Sequence, residues 1–214
     1  MTIALIALCI IAVAILLYAE YHDRLWLIAV SKTTAALCYL ALALHHGALE
    51  SLFGQWLFTA LVFSFFGDVF LIPKRNQALF LIGITSFWLA HVAFAIAFYK
   101  AGFSSTGLLI GAVPALLLGG FTLRWLWPHL QAEFRLAVPA YIVVIMLMLA
   151  MAGSAVDASG VVAIGIGAAV FAISDIYVAR DRFVKEAFVN RLVGLPLYFF
   201  TQFVFASAVS TIYT

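Results

Sequence analysis

Eight apolar stretches follow one another along the chain, at about 2–19, 25–44, 54–72, 77–99, 105–123, 134–152, 159–179 and 192–212. Each is close to the roughly 20 residues that a helix needs to cross a bilayer. In lipid every backbone polar group must find its partner inside the protein, so only helices and closed barrels can span. Runs this long and this evenly apolar point to helices. Short polar breaks separate them, among them Glu20-Tyr-His-Asp-Arg24, Pro73-Lys-Arg-Asn76, Trp127-Pro-His129, Val156-Asp157 and Arg180-Asp-Arg182. Only 9% of the residues are charged and 67% are hydrophobic, where a soluble domain carries about 25% charged residues. The expected fold is an all-α integral membrane protein, an eight-helix transmembrane bundle forming one domain over 1–214.

The remaining composition excludes more than it offers. A net charge of +2 is too small for a nucleic-acid partner. No coiled coil or long soluble segment suggests a protein partner. Cys9 and Cys38 are isolated in apolar runs and suggest neither a disulfide framework nor zinc spacing. The first stretch lacks a basic leader and a small-residue cleavage site, so it reads as an anchor, not a signal peptide. If eight spans alternate, Arg24, Lys74, Arg75, Arg124, Arg135, Arg180, Arg182, Lys185 and Arg191 share one side, and Lys100 alone lies on the other. The positive-inside rule makes the rich side cytoplasmic. Both termini would then face outward, in a multi-pass protein of a bacterial inner membrane.

Two acids interrupt this pattern. Asp68 lies in Leu61-Val-Phe-Ser-Phe-Phe-Gly-Asp-Val-Phe-Leu-Ile72, and Asp175 in Ala168-Ala-Val-Phe-Ala-Ile-Ser-Asp-Ile-Tyr-Val-Ala179. A carboxylate at membrane depth costs a few kcal/mol and marks a functional site by default. The two aspartates are half a chain length apart, and Phe66-Gly-Asp-Val-Phe-Leu71 aligns without gaps on Ile173-Ser-Asp-Ile-Tyr-Val178, with Arg75 falling on Arg182. Two parallel four-helix repeats, 1–107 and 108–214, would explain this and would set a shared site at their interface. Chance similarity between apolar helices is the open alternative.

Helical rise places other polar groups near the same depth. Lys32 lies about two turns into the second span and too deep to snorkel. His91 falls near the middle of the fourth span, and Tyr141, Tyr198 and Gln202 fall in the inner half of the sixth and eighth. Together these outline a walled polar cavity opening toward the inner leaflet. Each residue also has a plainer reading. Lys32 and an aspartate would form a structural ion pair, His91 would bond a backbone carbonyl, and the tyrosines and glutamine would link helices. His22, His45, His46 and His129 sit at span ends and suit solvated interface roles. Gly83, Gly165, Gly167 and Gly194 suit close helix approach. A zinc hydrolase using His91 and the aspartates is the lesser reading, because catalytic zinc takes three protein ligands and only one histidine lies deep.

Taken in order, Lys32, Gly67-Asp-Val-Phe-Leu71, Gly83-x3-Phe87-x3-His91, Pro139-x-Tyr141, Phe171-x2-Ser-Asp175 and Tyr198-x3-Gln202 resemble the YhhN-like membrane proteins, which include the lysoplasmalogenases. The resemblance covers nearly the whole chain. It departs at Thr33, where the family often has Pro, and at Phe94, where it often has Tyr. It implies hydrolysis of the vinyl ether of a lysoplasmalogen, a lysophospholipid substrate drawn from membrane lipid, to a fatty aldehyde and glycerophosphoethanolamine or glycerophosphocholine. Such a bond is cleaved by protonating carbon, which leaves an oxocarbenium ion for water to trap. Glycosidases meet a similar cation with two carboxyl groups. The expectation is therefore two-aspartate acid–base catalysis with neither metal nor cofactor. Asp175 acts as the acid, Asp68 stabilises the cation and positions water, and His91 orients water or a carboxylate. Lys32, Tyr141, Ser174, Tyr198 and Gln202 contact the substrate. The rival class is a proton-coupled transporter using the same buried Asp, Lys and His. Few helix breakers flank the aspartates, which argues against it.

Overall fold

A computed structural model describes residues 1–73 and 76–212. Among these, eight helices are long and apolar enough to cross a membrane: α1 (Thr2–Tyr21), α2 (Leu25–His45), α3 (Leu52–Phe70), α4 (Gln77–Ala101), α5 (Ser105–Leu126), α6 (Ala137–Ser159), α7 (Val162–Ala179) and α8 (Phe188–Ala208). Lys74 and Arg75, which enter the charge bias, and the second of which enters the repeat alignment, lie outside the described residues.

Side-chain caps set several of the starts. Ser51 accepts from Gly54 N–H at 3.0 Å, Asn76 from Leu79 N–H at 3.0 Å, and Ser104 from Gly107 N–H at 3.2 Å. Each satisfies a donor that the first turn would otherwise leave unpaired. The largest differences from the hydropathy reading are in α6 and α8. The sixth helix runs through Val156-Asp157 to Ser159 instead of ending near 152, and stops only where Gly160 takes a left-handed φ of 75°. Asp157 is tolerated there because it accepts the Ser104 hydroxyl at 2.5 Å, tying the end of α6 to the start of α5. The last helix begins at Phe188, not 192, and gives way to a 3-10 turn at Val209–Thr211.

Sequential helices pack as pairs: α1 on α2, α3 on α4, α5 on α6 and α7 on α8. Further contacts join α2 to α3, α6 to α7, α4 to α6 and α8 to α2. The centre is aromatic. Phe94 meets Phe205 at 4.6 Å and Phe171 at 5.9 Å between ring centroids, and Phe98 meets Phe205 at 5.5 Å. By contrast α5 packs chiefly on α6 and turns Leu109, Ile110, Leu116, Leu117 and Phe121 outward. In a bilayer that face meets lipid and needs no partner.

The α5–α6 contact depends on glycines that the sequence reading passed over. A Cβ on Gly153 would lie 2.6 Å from the Gly107 carbonyl oxygen and 2.7 Å from the Gly111 Cα, so the two backbones touch. Gly153→Val should force the helices apart and lower the melting temperature in detergent, by an overpacking cost of about 1–3 kcal/mol. Gly120→Ala is the control, since a Cβ there meets nothing within 4 Å. Equal melting of the two variants would refute the close-contact role.

One end of α7 is irregular. Lys185 N–H donates to the Arg180 carbonyl at 2.9 Å, a five-residue closure that makes Arg180–Val184 a π-helical turn. Asp181 in that turn accepts from the Ala187 N–H at 3.0 Å and from Asn190 Nδ2 at 2.9 Å, which seats the start of α8. Such π turns occur often at functional sites.

Candidate active site

Asp68 sits near the end of α3 and is 1% exposed. The preceding Gly67 admits the Phe87 ring, whose Cε2 would lie 2.5 Å from a Cβ at that position, so α4 is drawn against the aspartate. Three donors converge on the carboxylate. Lys32 Nζ lies 3.2 Å from Oδ1, while Oδ2 accepts from the Tyr198 hydroxyl at 2.6 Å and from the Tyr39 hydroxyl at 3.4 Å. Lys32 and Tyr39 are two turns apart on one face of α2, and Tyr198 comes from α8. An ammonium and two phenols around one carboxyl suit its ionised form.

Asp175 has a different shell. The Tyr141 hydroxyl donates to its Oδ2 at 3.2 Å, and His91 Nε2 lies 3.2 Å from the same oxygen. The His91 contact is close but poorly aligned for a hydrogen bond. His91 Nδ1 lies 2.7 Å from the Phe87 carbonyl oxygen. A carbonyl only accepts, so Nδ1 carries a proton. A neutral imidazole then presents a lone pair to Asp175, and two unprotonated acceptors would repel. A hydrogen bond between the two therefore needs a proton on one of the facing atoms. The side chain of His91 is fully buried, whereas that of Asp175 is 13% exposed.

The two shells are linked through aromatic rings. Tyr198 packs edge-on against Phe171 at 5.7 Å, Phe171 against His91 at 4.6 Å, and His91 against Tyr141 at 5.3 Å. Both aspartates border one cavity of about 710 Å³, together with Lys32, Tyr141, Ser174 and Tyr198. That volume suits a small-molecule or lipid site. The lining is of two kinds. Ala115 and Leu118 of α5 and Ile142, Ile145 and Leu149 of α6 are apolar. Glu20, Asp23, Asp181, Arg182, Lys185, Glu186 and Arg191, from the π turn, α8 and the end of α1, form a charged rim.

Other residues singled out in the sequence lie elsewhere. His91 and Gln202 are not among the residues lining the cavity. His91 stands behind Asp175. Gln202 is fully buried one turn from Tyr198, and neither its amide nitrogen nor its oxygen has a hydrogen-bond partner among the described residues. Ser174 borders the cavity, but its hydroxyl donates to the Phe171 carbonyl at 2.7 Å. The sequence reading overlooked Tyr39, whose only signal is its seven-residue spacing from Lys32. It also treated the charges around Asp181 and Arg191 as topology markers. Arg191 reaches Asp181 at 3.0 Å, Glu186 at 2.6 Å and Glu20 at 3.7 Å. Among the described residues, no group of three or more His, Cys, Asp or Glu side chains is arranged to hold a metal ion.

A bundle of membrane-spanning helices that buries two separately partnered carboxyl groups beside a lipid-sized cavity defines a membrane-embedded protein with an acidic site. The chain belongs to the YhhN family, whose model matches residues 27–209. It is similar to a bovine (Bos taurus) protein named lysoplasmalogenase TMEM86A, with 31% identity over 190 residues, covering 85% of this chain and 77% of the relative. The human protein of that name matches to the same extent. A Mycobacterium tuberculosis protein named lysoplasmalogenase is 28% identical over 148 residues, covering 67% of this chain and 55% of the relative. No solved structure matches the chain.

Proposed function

We propose that this protein is a lysoplasmalogenase that hydrolyses the vinyl ether of a lysophospholipid with two aspartates. The relatives' names support the activity. The observation that carries the mechanism is the unequal surroundings of two carboxyl groups on one cavity: Asp68 among cationic and phenolic donors, Asp175 against a histidine whose other nitrogen is already protonated. Pairs of titratable groups in contrasting environments divide acid and base roles.

The alkenyl chain lies against the apolar lining from α5 and α6, and the head group lies at the charged rim. Asp175, in its protonated form, delivers its proton to the β-carbon of the vinyl ether. The C=C π electrons form the new C–H bond, and positive charge is left on the adjacent carbon and the ether oxygen. The Asp68 carboxylate stabilises that cation electrostatically. Water adds to the cationic carbon and gives up a proton to the carboxylates. The resulting hemiacetal collapses to a fatty aldehyde, and its former ether oxygen leaves as the glycerol hydroxyl. Lys32, Tyr39 and Tyr198 hold Asp68 charged and in place, while Tyr141 orients Asp175. The charged rim faces the cytoplasm in this reading, so the substrate enters from the inner leaflet.

A duplication of about half the chain would account for one site shared between two halves. Tyr198 follows His91 by the same interval that separates Asp68 from Asp175. The partners are crossed accordingly, Tyr198 on Asp68 and His91 on Asp175.

The test is product analysis with purified protein in detergent, comparing lysophospholipids with vinyl-ether, alkyl-ether and ester linkages at the first glycerol carbon. Aldehyde from the vinyl ether alone is the expected result. Fatty acid released from the ester at a comparable rate would assign a lysophospholipase, and no product from any of the three would remove the enzymatic reading.

A further inference from the structure

Among the described residues, the cations at and beside the charged rim are held in different ways. Arg191 is matched by Glu20, Asp181 and Glu186, and Arg180 donates to Asn190 at 2.9 Å. Arg182 sits in the same turn as Asp181, yet it has neither a carboxylate partner nor a hydrogen bond among the described residues. Its guanidinium carbon instead lies over the Phe80 ring, 4.1 Å from the centroid, with Phe134 at 6.0 Å. An aromatic face holds an arginine without consuming its N–H donors, which stay free to take a phosphate oxygen pair. Arg182 and Phe80 both line the cavity that holds Asp68 and Asp175.

We propose that Arg182, stacked on Phe80 at the cavity mouth, binds the phosphodiester of the lysolipid and so fixes the depth at which the vinyl ether meets the aspartates. This rests on the substrate being a lysophospholipid. Reach supports it. Arg182 follows Asp175 by seven residues, two helical turns or roughly 10 Å along α7 and its π turn. In an extended lysolipid, seven bonds separate the vinyl β-carbon from phosphorus, roughly 9 Å at ordinary bond lengths. The two lengths agree, so a phosphate held at Arg182 would bring the reactive carbon to the level of Asp175, with the hydrocarbon chain toward the apolar lining from α5 and α6. The exposed Lys185 on the same rim adds positive potential without a fixed geometry.

The experiment measures binding, which separates this site from the chemistry. A 1-O-alkyl lysophosphocholine and a 1-O-alkylglycerol share the chain and the ether, resist hydrolysis, and differ in the phosphodiester. Their affinities are measured for the wild type and for Arg182→Gln in detergent. Arg182→Gln should weaken binding of the phosphodiester lipid roughly tenfold to a hundredfold, the usual effect of losing hydrogen bonds to a charged group, and leave alkylglycerol binding within about twofold. Equal affinities for the phosphodiester lipid in the two proteins, equal losses for both lipids, or no binding to the wild type would each overturn the assignment. Inorganic phosphate is the third probe, and its competing as well as the lysolipid would overturn a site built for the lipid diester. Loss of selective binding with aldehyde release intact removes this site alone. Selective binding with no aldehyde release removes the hydrolase reading alone.

Discussion

Asp175→Asn should release aldehyde roughly 10²- to 10⁴-fold more slowly than the wild type, the range that a positioned general acid contributes. The substitution is nearly isosteric. It keeps an oxygen to accept the Tyr141 hydroxyl, which lies 3.2 Å from Asp175 Oδ2, and removes only the ability to pass a proton. Because Asp175 is partly exposed to the cavity, folding should be little affected, and detergent melting should stay near that of the wild type. A folded Asp175→Asn protein with near-native turnover would remove Asp175 from the proton-transfer role.

The second large effect concerns stability. Lys32→Met should destabilise the protein by about 3–5 kcal/mol, because removing one partner of a buried ion pair strands the other charge. Asp68 is 1% exposed, and without Lys32 it keeps only the phenols of Tyr198 and Tyr39. The double variant Lys32→Met/Asp68→Asn should regain most of the lost melting temperature, since no uncompensated charge remains, yet should not regain turnover. A Lys32→Met protein as stable as the wild type would show that Asp68 does not depend on this pair for its charge. A double variant with native turnover would place Asp68 outside the chemistry.

The number of helices and most of their limits were legible in the sequence because bilayer thickness imposes a length on each apolar run. The limits misjudged by most lie at α6 and α8, where side-chain partners override hydropathy. Asp157 looked like a break but is held inside α6 by Ser104. Helix rotation was less legible. In water a helix shows its buried face as an apolar stripe, but here the lipid-facing and core-facing sides are both apolar. Hydropathy therefore could not reveal that Gly153 faces Gly107 and Gly111, or that Tyr39 shares a face with Lys32 toward Asp68.

Charge was the more informative signal, because ionisable groups inside a membrane are costly enough to need a partner. Asp68, Asp175 and Lys32 drew attention for that reason, and they border the same cavity. The rim charges were harder to read. At a span end a cation is affordable without special contacts, so nothing in the sequence separates Arg182 over Phe80 from Arg191 with its three acids.

Proton delivery to carbon is tested most directly by turnover in D₂O, with the aldehyde trapped as it forms and analysed by mass spectrometry. The two-aspartate mechanism predicts one deuterium on the carbon next to the aldehyde carbonyl in every molecule released by the wild type. Aldehyde released without deuterium at that carbon would contradict it.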